Sequence, residues 1–212
     1  MRHLSELLDT ADPAFPLIRQ WASAADLPVE LLPPSADRAA VLLALQVTTR
    51  SAMGALAYES GGILVDGGWL RILGSGHPRL ERNITAWNAG KSDGFLLVAD
   101  DVLGGFFALN GGGLGHDQGM VYYLAPDTLV WESLEVGFTD FVEWALTSRI
   151  REFYGREIME KYAPEVNAMS GEQCFGFFPF LWTKEGSHES SARRAVPVEE
   201  QWKLNQDLLA QA

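Results

Sequence analysis

A single cysteine, Cys174, and four histidines are all the soft metal-binding chemistry in 212 residues. One thiol excludes an intramolecular disulfide and a thiolate metal cluster, and favours a reducing compartment, so a cytoplasmic protein is expected. His3, His77, His116 and His188 are scattered without an i, i+4 pair, so no metal is expected. Basic residues are also scarce: 16 Lys and Arg stand against 28 Asp and Glu, a net charge of -12. That balance excludes the clustered cations with which proteins hold nucleic acid. It suits either plain solubility or the docking of a basic protein partner. No apolar run approaches the ~20 residues of a membrane-spanning helix. Leu4 to Asp9 reads as an acid-bearing amphipathic helix, where a secretory leader is continuously apolar.

The common catalytic signatures are missing as well. There is no Gly-x-Ser-x-Gly elbow, and Gly74-Ser75-Gly76 has the wrong spacing. Gly90-Lys91-Ser92 resembles the end of a phosphate loop, but Thr85 stands where its first glycine belongs. The stretch Asn110 to Gly119 is rich in glycine yet runs into Met120-Val121-Tyr122-Tyr123-Leu124, which reads as a strand. An anion loop must end at a helix N-terminus, so no nucleotide or other cofactor is expected. Asn83-Ile84-Thr85 matches a glycosylation acceptor, which has meaning only in a secreted chain. Cys174 among aromatics reads as a small buried hydrophobe. The chain is therefore not expected to be an enzyme.

What is present is a core. With 47% hydrophobic residues, residues 1–212 are expected to form one α+β domain with a C-terminal extension from about 148. Leu4, Leu7 and Leu8 share a helical face, and Pro13 or Pro16 can open a second helix through Ile18 and Trp21. Val29 to Leu32 is a short strand, Ser35 is expected to cap the next helix, and Ser51 to Gly61 forms another. Ile63-Leu64-Val65 and Trp69 to Leu73 flank Asp66-Gly67-Gly68 as a hairpin. Leu80 to Trp87 reads as a short helix. Phe95 to Asn110 and Gly119 to Leu124 read as three short buried strands, with Thr128 to Trp131 adding a further one. Turns this short require antiparallel pairing, because parallel strands need long crossovers. From Thr139 the period becomes helical, ending before Pro164. Cys174 to Trp182 is too aromatic for water and is expected to cover the body. Arg193-Arg194 falls in a polar loop, and Val198 to Leu209 closes the chain as a helix.

Seven tryptophans are many for this length. Tryptophan is enriched at binding hot spots, and Trp69 and Trp87 lie at turn edges where an indole can face a groove. Arg71 is either a fixed cation for a carboxylate or phosphate, or the polar residue of an exposed strand face. Asp101, just before Gly104-Gly105, can bond turn amides. His116-Asp117 can converge with Asp100-Asp101 as ligands, or serve only turn hydrogen bonds.

The words Thr48-Thr49-Arg50-Ser51-Ala52-Met53-Gly54-Ala55-Leu56, Gly61 to Gly76 and Phe95 to Asp101 resemble the bacterial family labelled domain of unknown function 2625, over nearly the whole chain. More distantly, the order of elements is similar to the SUKH superfamily over the central half. The similar stretch runs from the Asp before Gly104-Gly105 through Gly119 to Tyr123 and on to the Phe138-Thr139-Asp140-Phe141 helix start. That group includes fungal cell-wall-synthesis regulators and bacterial immunity proteins that neutralise toxins. The resemblance implies a mainly antiparallel central sheet with flanking helices, partner binding and no catalysis; it carries over no site residues. The first functional expectation is thus a non-enzymatic protein-binding protein of the immunity type. The alternative is a small-molecule-binding protein or hydrolase with a pocket around Trp69, Arg71, Asp101, His116 and Asp117.

Overall fold

Short apolar runs separated by glycine turns produce a meander. The computed structural model describes residues 1–91 and 93–210; Ser92 of the Gly90-Lys91-Ser92 triplet lies outside them. Among the described residues, seven strands form one antiparallel sheet in chain order: β1 (Val29–Leu32), β2 (Gly62–Val65), β3 (Leu70–Leu73), β4 (Phe95–Asp101), β5 (Phe106–Asn110), β6 (Met120–Leu124) and β7 (Trp131–Gly137). A second hairpin pairs β8 (Gln173–Phe178) with β9 (Ala192–Pro197). The chain is an α+β protein with a mainly antiparallel central sheet and flanking helices, as the strand spacing predicts.

Register decides which side chains meet. Leu64, Arg71, Asp100, Phe106, Leu124 and Trp131 are successive cross-strand partners and so form one row on one face. The adjacent row, Ile63, Ile72, Ala99, Phe107, Tyr123 and Glu132, points to the other face because strand side chains alternate. Helices α2 (Phe15–Ala24), α4 (Ala52–Glu59) and α6 (Phe138–Ala145) pack together near the second face, where Phe107 meets Phe141 of α6 at 5.0 Å between ring centroids. On the first face, Phe106 meets Trp202 of α9 (Val198–Leu209) edge-on at 4.9 Å. The β8–β9 hairpin joins that side through a 2.7 Å bond from Phe175 N–H to the Val102 carbonyl. The remaining helices are α1 (Leu4–Leu7), α3 (Arg38–Leu45), α5 (Ile84–Asn88), α7 (Arg149–Tyr154) and α8 (Arg156–Val166).

Several boundaries differ from the sequence reading, each for a local reason. Ser35 does not cap α3; its N–H and its hydroxyl donate to the Ser75 hydroxyl and carbonyl, and Asp37 takes the cap position. The helix expected from Leu80 starts only at Ile84, because the Asn83 side chain accepts from the amides of Thr85 and Ala86. Asn83 is therefore a helix cap. No strand begins at Thr128: Leu129 has φ 52°, with its N–H bonded to the Ala125 carbonyl, and β7 starts at Trp131. Pro164 sits inside α8 rather than after it, two residues before the helix ends at Val166. Arg193 and Arg194 belong to β9, not to a loop. Phe178 within the aromatic run is left in water at 73% exposure.

The β4–β5 turn leaves no room for a side chain at Gly105. A methyl group on Gly105 would lie 2.5 Å from Asp101 Oδ2 and from the Tyr123 ring, with no flexible neighbour to yield. Gly105→Ala is accordingly expected to lower unfolding free energy by about 2–3 kcal/mol in urea denaturation, through overpacking at a buried polar turn.

Candidate functional site

The chemistry-bearing side chains gather where β3 and β4 meet the C-terminal segment. Arg71 is buried to 1% exposure inside an apolar strand, so its charge must be met by the protein. It is met on three sides: Asp100 Oδ1 at 2.5 Å, the Asp101 carbonyl at 2.8 Å, and the Gln173 carbonyl. Asp100 is shared. Its other oxygen accepts from Arg82 at 2.5 Å, and Arg82 reaches on to Glu172 at 2.8 Å and the Gly171 carbonyl at 2.6 Å. Burial works against the Arg82 charge, but Asp100 and Glu172 more than offset it and raise its pKa. The Arg82 guanidinium also covers the Trp87 ring at 4.8 Å, with Lys91 at 4.4 Å from the same ring.

Asp101 faces away from this chain of charges, as the neighbour of Asp100 on a strand must. Its Oδ1 accepts from the amides of Leu103 and Gly105, each at 2.9 Å, so the expected turn bonds are formed. Its Oδ2 accepts from the hydroxyls of Tyr123 at 2.7 Å and Tyr154 at 2.9 Å. Complete burial pushes the Asp101 carboxyl above its ordinary 3.8, against the pull of the Gly105, Tyr123 and Tyr154 hydrogen bonds and of Arg71. Burial likewise holds both phenols protonated, well above the usual tyrosine value.

The six residues singled out in the sequence do not form one site. Trp69, Arg71 and Asp101 come together, with Tyr154 edge-on to Trp69 at 5.6 Å. Trp87 joins only through Arg82, and neither Trp69 nor Trp87 presents an open indole, since both are buried. His116 and Asp117 stand apart. Asp117 bonds Asn110, at the far end of β5 from the Asp101 turn, about 13 Å away at strand rise. There it accepts from Tyr122 and Ser133, which lower its pKa, while His116 is exposed. Of the residues expected to share a pocket, Trp69, Arg71 and Asp101 thus meet at one centre, and His116 and Asp117 lie at the other end of β5. No group of three potential metal ligands occurs among the described residues.

Residues missed in the sequence are Arg82, Glu172, Tyr123 and Tyr154. A signal existed for some partner: Arg71 in Trp69-Leu70-Arg71-Ile72-Leu73, and two acids ending an apolar strand, cannot be buried alone. Nothing local marks Glu172, which lies 90 residues beyond Arg82. Cys174 is buried beside this network and its thiol is pushed up to about 12 by burial.

The fold and its centre define an α+β protein whose seven-stranded meander is locked to its C-terminal segment by an Arg–Asp–Arg–Glu chain that runs from buried Arg71 and Asp100 out to half-buried Glu172. The chain belongs to the family described as "Protein of unknown function DUF2625", whose model matches residues 4–201. It is 47% identical to an uncharacterized Escherichia coli (strain K12) protein, YbfG, over 96% of this chain and 95% of that protein. An uncharacterized protein of Haemophilus influenzae is 39% identical over 85% of this chain and 83% of its own length. No solved structure matches the chain significantly. No helix among the described residues is long and apolar enough to cross a membrane.

Three outcomes check this centre. Asp101→Ala, which strands two amides and two hydroxyls, is expected to cost about 4 kcal/mol, and Asp101→Asn about half that, in chemical denaturation. Because the folded pKa is raised, the folded state keeps a proton that the unfolded chain releases. Stability therefore falls as pH rises from 3.8 through the raised value and levels off above it; Asp101→Asn removes that slope. Cys174 is expected to stay unlabelled by thiol reagents in the folded protein and to react on unfolding.

Proposed function

We propose that the protein is a non-enzymatic, cytoplasmic binding protein of the immunity type, which docks a basic partner protein on the side formed by β8, β9 and α9. The observation that carries this reading is Phe178: a phenylalanine 73% exposed at the end of β8, on the rim of an open groove of about 590 Å³. Phe180, Val196 and Leu204 give that groove an apolar floor, and Arg194 and Glu200 give it a polar edge. Exposed aromatics beside a groove are what a binding hot spot needs.

The groove runs along β9, which is paired on one edge only, to β8. An open strand edge accepts an extended segment through backbone hydrogen bonds while alternate side chains enter the adjoining pocket. The occupant is thus a partner strand with an apolar anchor against Phe178. The net charge of -12 draws a partner of opposite sign, and Arg193 does not oppose it, being ion-paired to Glu165 and stacked over Tyr162 at 3.8 Å. The non-enzymatic part is supported by the saturation of the central acids. Asp100 is held by two arginines and Asp101 by four donors, so neither is placed to move a substrate proton.

Phe178→Asp tests the reading without disturbing the core. Tagged wild type is expected to retain a basic protein in stoichiometric amount from native lysate, less at moderate salt, and Phe178→Asp to lose it. The same proteins captured by both forms, or none by either, overturns the proposal. A dimer in sedimentation velocity that Phe178→Asp dissolves would reassign the groove to self-association.

A further inference from the structure

The seven-stranded sheet ends in a hollow of its own. β7 is its last strand, and Leu134 and Val136 from β7 form the floor of a cavity of about 410 Å³. The helical period supplies the walls. In α6, Phe141, Val142 and Ala145 are buried, so Asp140, Glu143 and Trp144 stand on the outward face at i, i+3 and i+4 and line the cavity. Arg149 and Phe153 of α7, four residues apart, complete it. Phe153 is 41% exposed although its ring is held edge-on to Trp144 at 5.3 Å and to Tyr154 at 4.8 Å. A fixed, half-wet ring over an apolar floor is a surface that a partner's apolar side chain can cover.

Charge marks the kind of partner. Asp140 and Glu143 are exposed, and neither has an ion pair among the described residues. Glu132 and Glu135 of β7 and Glu152 of α7 are further exposed acids on the same elements. Against them stand Arg149, whose Nε donates to Thr147 Oγ1 at 3.3 Å, and Arg151, which is committed to Asp66 at 2.9 Å. The surface is therefore acidic around an apolar floor, and its complement is apolar with basic flanks.

Backbone pairing does not suit this edge. The β6–β7 register shifts between Met120 and Tyr122, Glu135 has φ 57°, and the irregular edge carries Glu132 and Glu135. Bulges and charges blunt an edge strand against an added strand. An occupant reaches the floor with side chains instead, and an amphipathic helix presents these on one face while its own backbone bonds stay satisfied.

We propose that this hollow docks a basic amphipathic helix of a partner protein. An apolar side chain of that helix packs against Leu134, Trp144 and Phe153, and Lys or Arg residues on its flanks meet Asp140 and Glu143. The hollow shares no lining residue with the groove beside Phe178, so it stands or falls independently of the reading given to that groove.

Titration calorimetry on the full chain with synthetic peptides tests the proposal. A Leu/Lys peptide patterned at the helical period is expected to bind. Leu/Glu and Ser/Lys peptides of the same pattern, and the Leu/Lys composition in strict alternation, are each expected to bind at least about tenfold more weakly, having lost the charge, the anchor or the helix. Asp140→Lys and Glu143→Lys, at exposed positions and with folding checked by circular dichroism, are each expected to weaken the helical peptide by about tenfold or more. Phe178→Asp and Glu200→Lys are expected to leave that affinity unchanged. Absence of binding, equal affinity for the alternating peptide, or indifference to Glu143→Lys overturns the proposal. So does a loss of equal size with Glu200→Lys, which would mean attraction to the whole acidic surface, and so does a dimer in sedimentation velocity that Glu143→Lys dissolves, which would make a second copy of the chain the occupant.

Discussion

A guanidinium inside a β-sheet dictates what surrounds it. Arg71 occupies a position in β3 where its cross-strand neighbours Leu64 and Asp100 are buried, so the strand can pair there only if a carboxylate arrives with it. Asp100 meets this need, but a carboxylate between one arginine and apolar walls leaves an oxygen to satisfy, and Arg82 satisfies it. Arg82 in turn draws in Glu172 and the Gly171 carbonyl, and Arg71 takes the carbonyl of Gln173. Removing one member of a buried ion pair typically costs 3–5 kcal/mol, because the survivor is stranded. The C-terminal segment is therefore electrostatically required by the sheet, as well as packed on it.

Neighbouring aspartates on one strand show how far geometry outweighs residue type. Asp100 points into a row with Arg71 and is compensated by charge. Asp101, one residue on, points to the opposite face, is compensated by four neutral donors, and has its carboxyl raised by burial. Neutral hydrogen bonds can satisfy a buried carboxylate without returning all of its lost hydration, whereas an ion pair restores more of it. The sheet thus holds one aspartate between two guanidinium groups and the other as a hydrogen-bond hub that closes the β4–β5 turn.

The parts of the fold legible in the sequence were those with local causes. Asp66-Gly67-Gly68 announced a hairpin because glycine takes positive φ freely and aspartate tolerates it, as all three do there, and Val198 to Leu209 announced α9 by its helical period. The order of β4, β5 and β6 followed from turn length alone. What failed depended on partners far along the chain. Ser35 looked like a cap until Ser75, 40 residues on, competed for it. Trp69 and Trp87 looked like surface indoles because nothing near them in sequence reveals that α8 and Arg82 cover them. Whether His116-Asp117 would converge with Asp100-Asp101 or serve only turn hydrogen bonds was left open, because a strand's length, which separates them, is invisible to residue type.

Charge bookkeeping inside the centre bears on the surface. Arg71 and Arg82 balance Asp100 and Glu172, so the buried chain is neutral and the surplus of -12 belongs to the rest of the molecule. Fields from exposed charges decay over about 8 Å at physiological salt, so the surplus acts on whatever approaches and little on the core. It assists a basic protein coming to the groove at Phe178, and salt weakens that assistance, which follows from where the charge lies and not from the identity of the partner.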